Sequence, residues 1–260
     1  MIVDSPEQIS ALLNGTPLLV MLDIDGTLCD IVPQPDDAAV PEVARSSVQR
    51  LADMAGVHVA LVTGRSVRDA RRMVQVRGVH ISGNHGIEIA HASGKMEIEG
   101  GWEAEAEAMG AAAGEIAKTV GAYPGASLEH KDYSLSVHHR HVAPTRIDAL
   151  IAAVREIAAS HGVAVEGGKS VLNILPNIAV NKGTAAMRLV HDIFGDRADG
   201  AVLFAGDDIT DEHAFRALSV LPGAVTVKVG QGEEATAARY RMSSPDDVHR
   251  LLVLLGHRAE

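Results

Sequence analysis

The sequence predicts an α/β fold: a Rossmann-like core with a parallel sheet, interrupted by an inserted α+β domain. Two observations carry this expectation. Short apolar runs alternate with amphipathic, helix-like stretches over most of the 260 residues, the pattern of a parallel sheet covered by helices. In the middle of the chain the rhythm changes to helix, two period-two runs, helix and two short strands, an αββαββ order.

The first predicted strand is Leu18–Leu22, and the second and third are Val57–Val62 and Val79–Ser82. Trp102 to Val120 has the Ala/Glu-rich composition of a helix, and Ala126–Glu129 and Tyr133–Arg140 alternate as strands do. Pro144–His161 reads as a helix because Pro144 and Thr145 open it and Gly162 closes it. Val163–Glu166 and Ser170–Ile174 follow as strands around Gly167-Gly168, a turn signal. Ala201–Ala205 then returns to the parallel pattern. The expected organisation is a core of residues 1–103 and 176–260 with an insert at 104–175, and Gly100-Gly101 and Pro176-Asn177 are candidate hinges.

Composition narrows the function classes. A formal charge of −11, with one Trp, three Tyr and three Phe, argues against nucleic acid, which needs basic stripes and stacking platforms. An anionic ligand would need a local site that opposes the global field. The single Cys29 excludes an intrachain disulfide and a cysteine-cluster zinc site. With an N-terminus unlike a signal peptide, it favours a reducing compartment. No apolar run approaches the roughly 18 residues of a membrane helix. The expectation is a soluble, cytoplasmic, monomeric protein with neither membrane nor nucleic acid as partner.

The chemistry concentrates in the loops after predicted strands, which a parallel sheet brings together at its carboxyl edge. After Leu18–Leu22 comes Asp23-Ile24-Asp25-Gly26-Thr27. Two carboxylates at i and i+2 share a face if the strand continues that far, and Gly26 can take the positive φ of a sharp turn. A phosphoryl-transfer reading makes Asp23 the nucleophile and Asp25 the general acid, then the base for water. Asp, Gly and Thr are also ordinary turn residues, so a capped turn would carry the same letters. In Gly206–Glu212, GDDITDE, four acids within six residues repel one another unless a cation sits among them.

DIDGTL resembles the first motif of the haloacid dehalogenase superfamily of phosphotransferases, and later motifs follow in order. VTGR at Val62–Arg65 is similar to the second motif, which implies that Thr63 binds the transferring phosphoryl group, with Gly64 and Arg65 beside the substrate. NKG at Asn181–Gly183 resembles the third, which implies Lys182 as a fixed positive charge between nucleophile and phosphate. GDDITDE resembles the fourth and implies a Mg²⁺ site. The ligands it implies are the Asp23 side chain, the Asp25 backbone carbonyl and Asp207, with Asp208 and Asp211 binding directly or from behind. Mg²⁺ suits such a set because it prefers hard oxygen ligands and keeps waters.

GDDITDEHAF and GNHGIE at Gly83–Glu88 are further similar to segments of the trehalose-6-phosphate phosphatases, and the inserted αββαββ domain matches their cap. The resemblance places His85 in the substrate crevice. It implies that Glu129 and Lys131, in LEHKDYSLSVHHR, bind sugar hydroxyls. One departure stands out: the family's GKxVLExRP segment is GKSVLNILP here, with Asn173 for the sugar-contacting glutamate and Leu175 for the basic residue. Asn173 keeps hydrogen bonding without charge, and its amide can donate where a carboxylate only accepts. The resemblance implies a Mg²⁺-dependent phosphatase acting on a phosphorylated sugar, trehalose 6-phosphate first. The alternatives are another glycosyl or aminosugar phosphate, or a sugar-phosphate-binding regulator without turnover.

Overall fold

The structure, a computed structural model, describes residues 4–32, 37–98, 102–131, 133–195, 200–232 and 234–257. The candidate hinge Gly100-Gly101 lies outside the described residues. Two compact units form, Met1–Glu97 with Val180–Glu260, and Ile98–Ala179.

The first unit opens with α1 (Pro6–Leu12), β1 (Leu18–Leu22), α2 (Glu42–Ala52), β2 (Val57–Val62), α3 (Val67–Val74), β3 (His80–Gly83), β4 (Glu88–Ala90) and β5 (Met96–Ile98), whose last residue is the first of the second unit. The second contains α4 (Trp102–Gly121), β6 (Ser127–His130), β7 (Leu135–His138), α5 (Pro144–His161), β8 (Ala164–Gly168) and β9 (Val171–Leu175). The first then resumes with α6 (Lys182–Phe194), β10 (Ala201–Gly206), α7 (Asp211–Leu218), β11 (Val225–Val229), β12 (Tyr240–Met242) and α8 (Pro245–Gly256).

Eight strands form the large sheet in the order β12-β11-β10-β1-β2-β3-β4-β5. Neighbours from β12 to β3 run parallel, and β4 returns antiparallel to β3. The central β1 is buried at every residue, which explains why it reads as an unbroken apolar run. Its side chains alternate between two cores. Leu18, Val20 and Leu22 join Val48, Leu51, Ala70 and Leu251 on one face, while Leu19 and Met21 join Leu189, Phe204 and Phe215 on the other. Both faces are therefore covered by helices, and cutting Leu19 to Ala would cost about 2–5 kcal/mol.

This sheet order positions the motifs. In register, Leu22 pairs with Ala205 of β10 and with Leu61 of β2. The loops that begin at Asp23, Thr63 and Asp207 consequently leave three adjacent strands at the same edge.

The second unit is a four-stranded antiparallel sheet, β6-β7-β9-β8. Val137, Leu172 and Ile174 pack with Ile116 of α4 and Leu150 and Val154 of α5. Gly162 closes α5 in the left-handed conformation, at φ 70°. The expected turn at Gly167-Gly168 is displaced. Both glycines pair within the β8–β9 ladder, and the chain reverses at Lys169-Ser170, with Ser170 at φ 63°. Gly168 opposite Val171 leaves room for only those two residues in the hairpin loop. Among the described residues no helix is long and apolar enough to cross a membrane.

Candidate active site

β1 ends at Leu22, but the backbone continues one rung further, where the Asp23 N–H donates to Ala205 O at 3.0 Å. The condition for Asp23 and Asp25 to share a strand face is therefore not met, and their side chains have different partners. Asp23 is buried, and its Oδ1 accepts from Lys182 Nζ at 2.7 Å. Asp25 is held by the Arg65 fork, with Nε to Oδ2 and Nη2 to Oδ1 both 2.6 Å. That bidentate geometry fixes a carboxylate plane more firmly than a single contact does.

Lys182 is the first residue of α6, where a positive charge opposes the helix dipole. The helix start is secured instead by Asn181, whose Oδ1 accepts from the Gly183 and Thr184 N–H groups. Lys182 is tolerated there because its Nζ reaches two buried carboxylates, Asp23 Oδ1 and Asp211 Oδ1, the latter at 2.8 Å. Burial alone would lower its pKa, but Asp211 and Asp23 outweigh it and raise the pKa well above the usual lysine value. Asp211 also organises its own loop: Oδ2 accepts from the Asp207 N–H at 3.0 Å and the Asp208 N–H at 2.9 Å.

Asp23, Asp207 and Asp211 each bring a carboxylate oxygen within 4.8 Å of the others, and all three are buried. Against three negative charges Lys182 brings one positive charge. Burial, and then the neighbouring Asp211 and Asp207 carboxylates, push the Asp23 carboxyl up, while Lys182 pulls it down. The surplus of two charges is what a divalent cation removes. Gly26 gives the independent fit test. Its φ is 83°, and a Cβ there would lie 2.2 Å from Asp207 Oδ2, so the turn admits this carboxylate only because residue 26 has no side chain. An all-oxygen, buried donor set of this charge fits Mg²⁺. Of the five expected acids, Asp25 and Asp208 stand outside this carboxylate group. Asp25 is engaged by Arg65, and the Asp208 carbonyl accepts from Lys228 Nζ at 3.4 Å.

Thr63 follows β2, and its Oγ1 accepts from the Arg65 N–H at 3.2 Å. Gly64 serves a close approach: a Cβ on it would lie 2.6 Å from His85 Cε1. His85 itself is buried at φ 59°, and its N–H donates to Thr63 O at 3.1 Å. Arg65, expected beside the substrate, gives its fork to Asp25. Cys29 closes the same turn. Its carbonyl accepts from the Gly26 N–H at 2.7 Å, while its buried thiol is pushed up to about 12 by burial and then by the Asp25 charge.

One family model, trehalose-phosphatase, matches residues 21–246, a span that holds the strand-end acids, the buried lysine and these loops. The chain belongs to the trehalose-phosphatase family. It is 34% identical over 230 residues to trehalose-phosphate phosphatase of Mycobacterium tuberculosis, covering 87% of this chain and 58% of that one. It is also 34% identical over 254 residues to an uncharacterized glycosyl hydrolase of the same organism, covering 94% of this chain and 19% of the relative. The chain thus spans less than two thirds of the curated relatives it matches. Among solved structures it resembles the C-terminal domain of Candida albicans trehalose-6-phosphate phosphatase, with TM-score 0.84, 21% identity, and 98% and 97% of the two chains covered. A trehalose-6-phosphate phosphatase related protein gives TM-score 0.77 at 26% identity, covering 92% and 96%. A haloacid dehalogenase-like hydrolase from Bacteroides thetaiotaomicron shares the fold at TM-score 0.63 and 17% identity, over 91% and 97%.

The trehalose-phosphatase motifs draw on residues that sequence reasoning passed over. Glu88 is buried, and its Oε1 accepts from the Val67 N–H at 2.8 Å and Asn84 Nδ2 at 2.6 Å, tying the GNHGIE segment to the start of α3. Glu212 accepts from Thr236 Oγ1 at 2.6 Å and the Ala237 N–H at 2.8 Å. Both glutamates lie inside quoted motifs, so the signal was present without an assigned role. In the second unit, Glu129 Oε2 is 2.8 Å from His138 Nε2. The Lys131 N–H donates to Ser134 O at 2.9 Å, and Asn173 Oδ1 accepts from Ser136 Oγ at 2.9 Å.

Proposed function

We propose that this chain is a Mg²⁺-dependent phosphatase that hydrolyses trehalose 6-phosphate to trehalose and inorganic phosphate through an aspartyl-phosphate at Asp23. The observation that carries the reading is the buried Asp23–Lys182 pair beside Asp207 and Asp211. A carboxylate nucleophile must be desolvated to attack, yet must remain ionised beside an anionic substrate, and Lys182 serves both needs.

In this mechanism Asp23 attacks phosphorus, and the bond to the sugar oxygen breaks as Asp25 delivers a proton to it. Lys182 and the Thr63 hydroxyl hold the equatorial phosphoryl oxygens through the transfer. Asp25, oriented by Arg65, then takes a proton from water, which attacks the acyl phosphate, releases phosphate and restores the Asp23 carboxylate. Asp23, Asp207 and the Asp25 carbonyl would hold Mg²⁺, which supplies Lewis-acid charge for the phosphate oxygens. The Ile98–Ala179 unit is read as the specificity cap, with Glu129, Lys131 and Asn173 contacting the sugar. The enzyme is read as monomeric and cytoplasmic, and its single Cys29 can form no intrachain disulfide.

Asn173 in place of an acid favours one other reading, the same chemistry on a different glycosyl or aminosugar phosphate. Phosphate release from a panel of sugar phosphates decides between them: a clear preference for a substrate other than trehalose 6-phosphate would overturn the named sugar. Asp23→Asn tests the chemistry. The folded variant in Mg²⁺ is expected to lose turnover and phosphoenzyme together, and retention of most activity would sink the nucleophile assignment.

A further inference from the structure

The register of the second unit's sheet aligns four polar residues across all its strands. Glu129 of β6 pairs with Ser136 of β7, Ser136 with Asn173 of β9, and Asn173 with Glu166 of β8. Their flanking neighbours Leu128, Val137, Leu172, Leu135 and Ile174 belong to the core shared with α4 and α5. Alternation therefore places the polar row on the sheet's opposite face.

Within that row the donors and acceptors are ordered. Ser136 Oγ donates to Asn173 Oδ1 at 2.9 Å, so the Asn173 amide keeps its NH₂ hydrogens for another acceptor. Glu129 at one end and Glu166 at the other are acceptors when ionised. A sugar hydroxyl both donates and accepts, and a carboxylate–hydroxyl–amide–carboxylate row can satisfy several on one ring. Directly paired residues on neighbouring strands have Cβ atoms about 4.5–5.5 Å apart. The acid absent at position 173 is thus matched by one a single strand away. Nothing in the sequence of the Val163–Glu166 run marks that residue, because only the β8–β9 register reveals its neighbour.

We propose that Glu166 is a sugar-contacting, specificity-determining residue whose carboxylate accepts a hydroxyl of the phosphorylated sugar, in place of an acid at position 173. This rests on the sugar-phosphate phosphatase reading above. The sugar is recognised as a polyol through its hydroxyls, so the charge at 166 bears on substrate capture more than on the phosphoryl step.

The test compares wild type, Glu166→Gln, Glu166→Asp and the relocation variant Glu166→Gln/Asn173→Glu, each checked by circular dichroism and thermal melting. The wild-type panel comes first, and the variants are then assayed with the sugar phosphate that the wild type turns over best. Failure of trehalose 6-phosphate in that panel thus concerns the named substrate and leaves Glu166 testable. Glu166→Gln is expected to raise KM on the order of tenfold or more with kcat within about twofold, as for a lost charged hydrogen bond made equally in ground and transition states. Glu166→Asp should recover part of the loss, and moving the acid to 173 should recover more. An unchanged KM in folded Glu166→Gln overturns the proposal, as does a rise that the relocation variant leaves unrepaired. Absence of turnover on every sugar phosphate by the wild type overturns both readings.

Discussion

Lys182 Nζ lies 2.7 Å from Asp23 Oδ1 with both side chains buried, although 159 positions separate them in the chain. The pair joins the end of β1 to the start of α6, so the fold itself brings the ammonium to the proposed nucleophile. Lys182→Met keeps most of the side-chain volume and removes the charge. Breaking a buried pair from one side costs about 3–5 kcal/mol, because the partner charge is stranded. The expected result is a loss of that order in urea unfolding without divalent ions, partly restored by Mg²⁺, and a kcat lower by roughly 100- to 1000-fold. Activity within tenfold of wild type would remove Lys182 from the phosphoryl site.

Gly26→Ala tests the close approach of Asp207. The new Cβ would lie 2.2 Å from Asp207 Oδ2 at a φ of 83°. Gly94→Ala is the matched control, with φ 92° and nothing within 4 Å of its Cβ. The control should lose about 1 kcal/mol from backbone strain alone. Gly26→Ala should lose about 1–3 kcal/mol more through the clash and should also bind Mg²⁺ more weakly by isothermal titration. Equal losses in both variants, with metal affinity unchanged, would mean that the carboxylate simply moves aside.

Arg65 offers a choice between two roles that kinetics can separate. Its fork binds both oxygens of Asp25 at 2.6 Å, so Arg65→Leu should leave the proposed acid-base carboxylate unheld. The expected effect is a fall in kcat of about 10- to 100-fold, with KM changed far less. A higher KM at constant kcat would place Arg65 on the substrate.

A pH effect on stability should come from the opposite end of β2 and β3. His80 sits between His58 and His91, with ring centroids 6.4 and 5.8 Å away. Burial, then the His91 and His58 rings, lower its pKa from 6.5 to about 4, against a smaller opposing pull from Asp192; Glu97 faces His91 at 3.4 Å. A base whose folded pKa is depressed binds its proton more readily when unfolded. Stability from this residue is therefore complete above the unfolded value of 6.5 and is lost as pH falls from there toward 4. With allowance for partial exposure of the ring, the loss is on the order of 1–2 kcal/mol. Urea midpoints at pH 7.5 and 4.5 should differ less in His80→Asn than in wild type, and equal differences would dismiss the effect.

Much of the fold was legible because parallel strands buried on both faces leave unbroken apolar runs, as Leu18–Leu22 does, and because α5 carries its own start and stop at Pro144 and Gly162. Three-residue strands such as β4, β5 and β12 are too short to show a period. The loops of the site were legible as motifs, and their resemblance already set Lys182 beside Asp23, but the partner of Asp25 was not legible. The Arg65–Asp25 fork spans 40 positions, and no local pattern predicts it. Lys228 is a buried lysine on β11 that nothing in VTVKV distinguishes from a solvated one. Asp23 and Asp25 would share a face only if the strand ran on through both, and β1 stops at Leu22, so the period of two stops with it.

The lone Cys29, buried and with its thiol pushed up to about 12, carries practically no thiolate at neutral pH. Alkylating and maleimide reagents should therefore pass the native protein by. A cysteine engineered onto the surface of either compact unit becomes a unique chemical handle without first deleting a native one. Paired spin labels or fluorophores, one on each unit, could then follow their separation during turnover against a silent background.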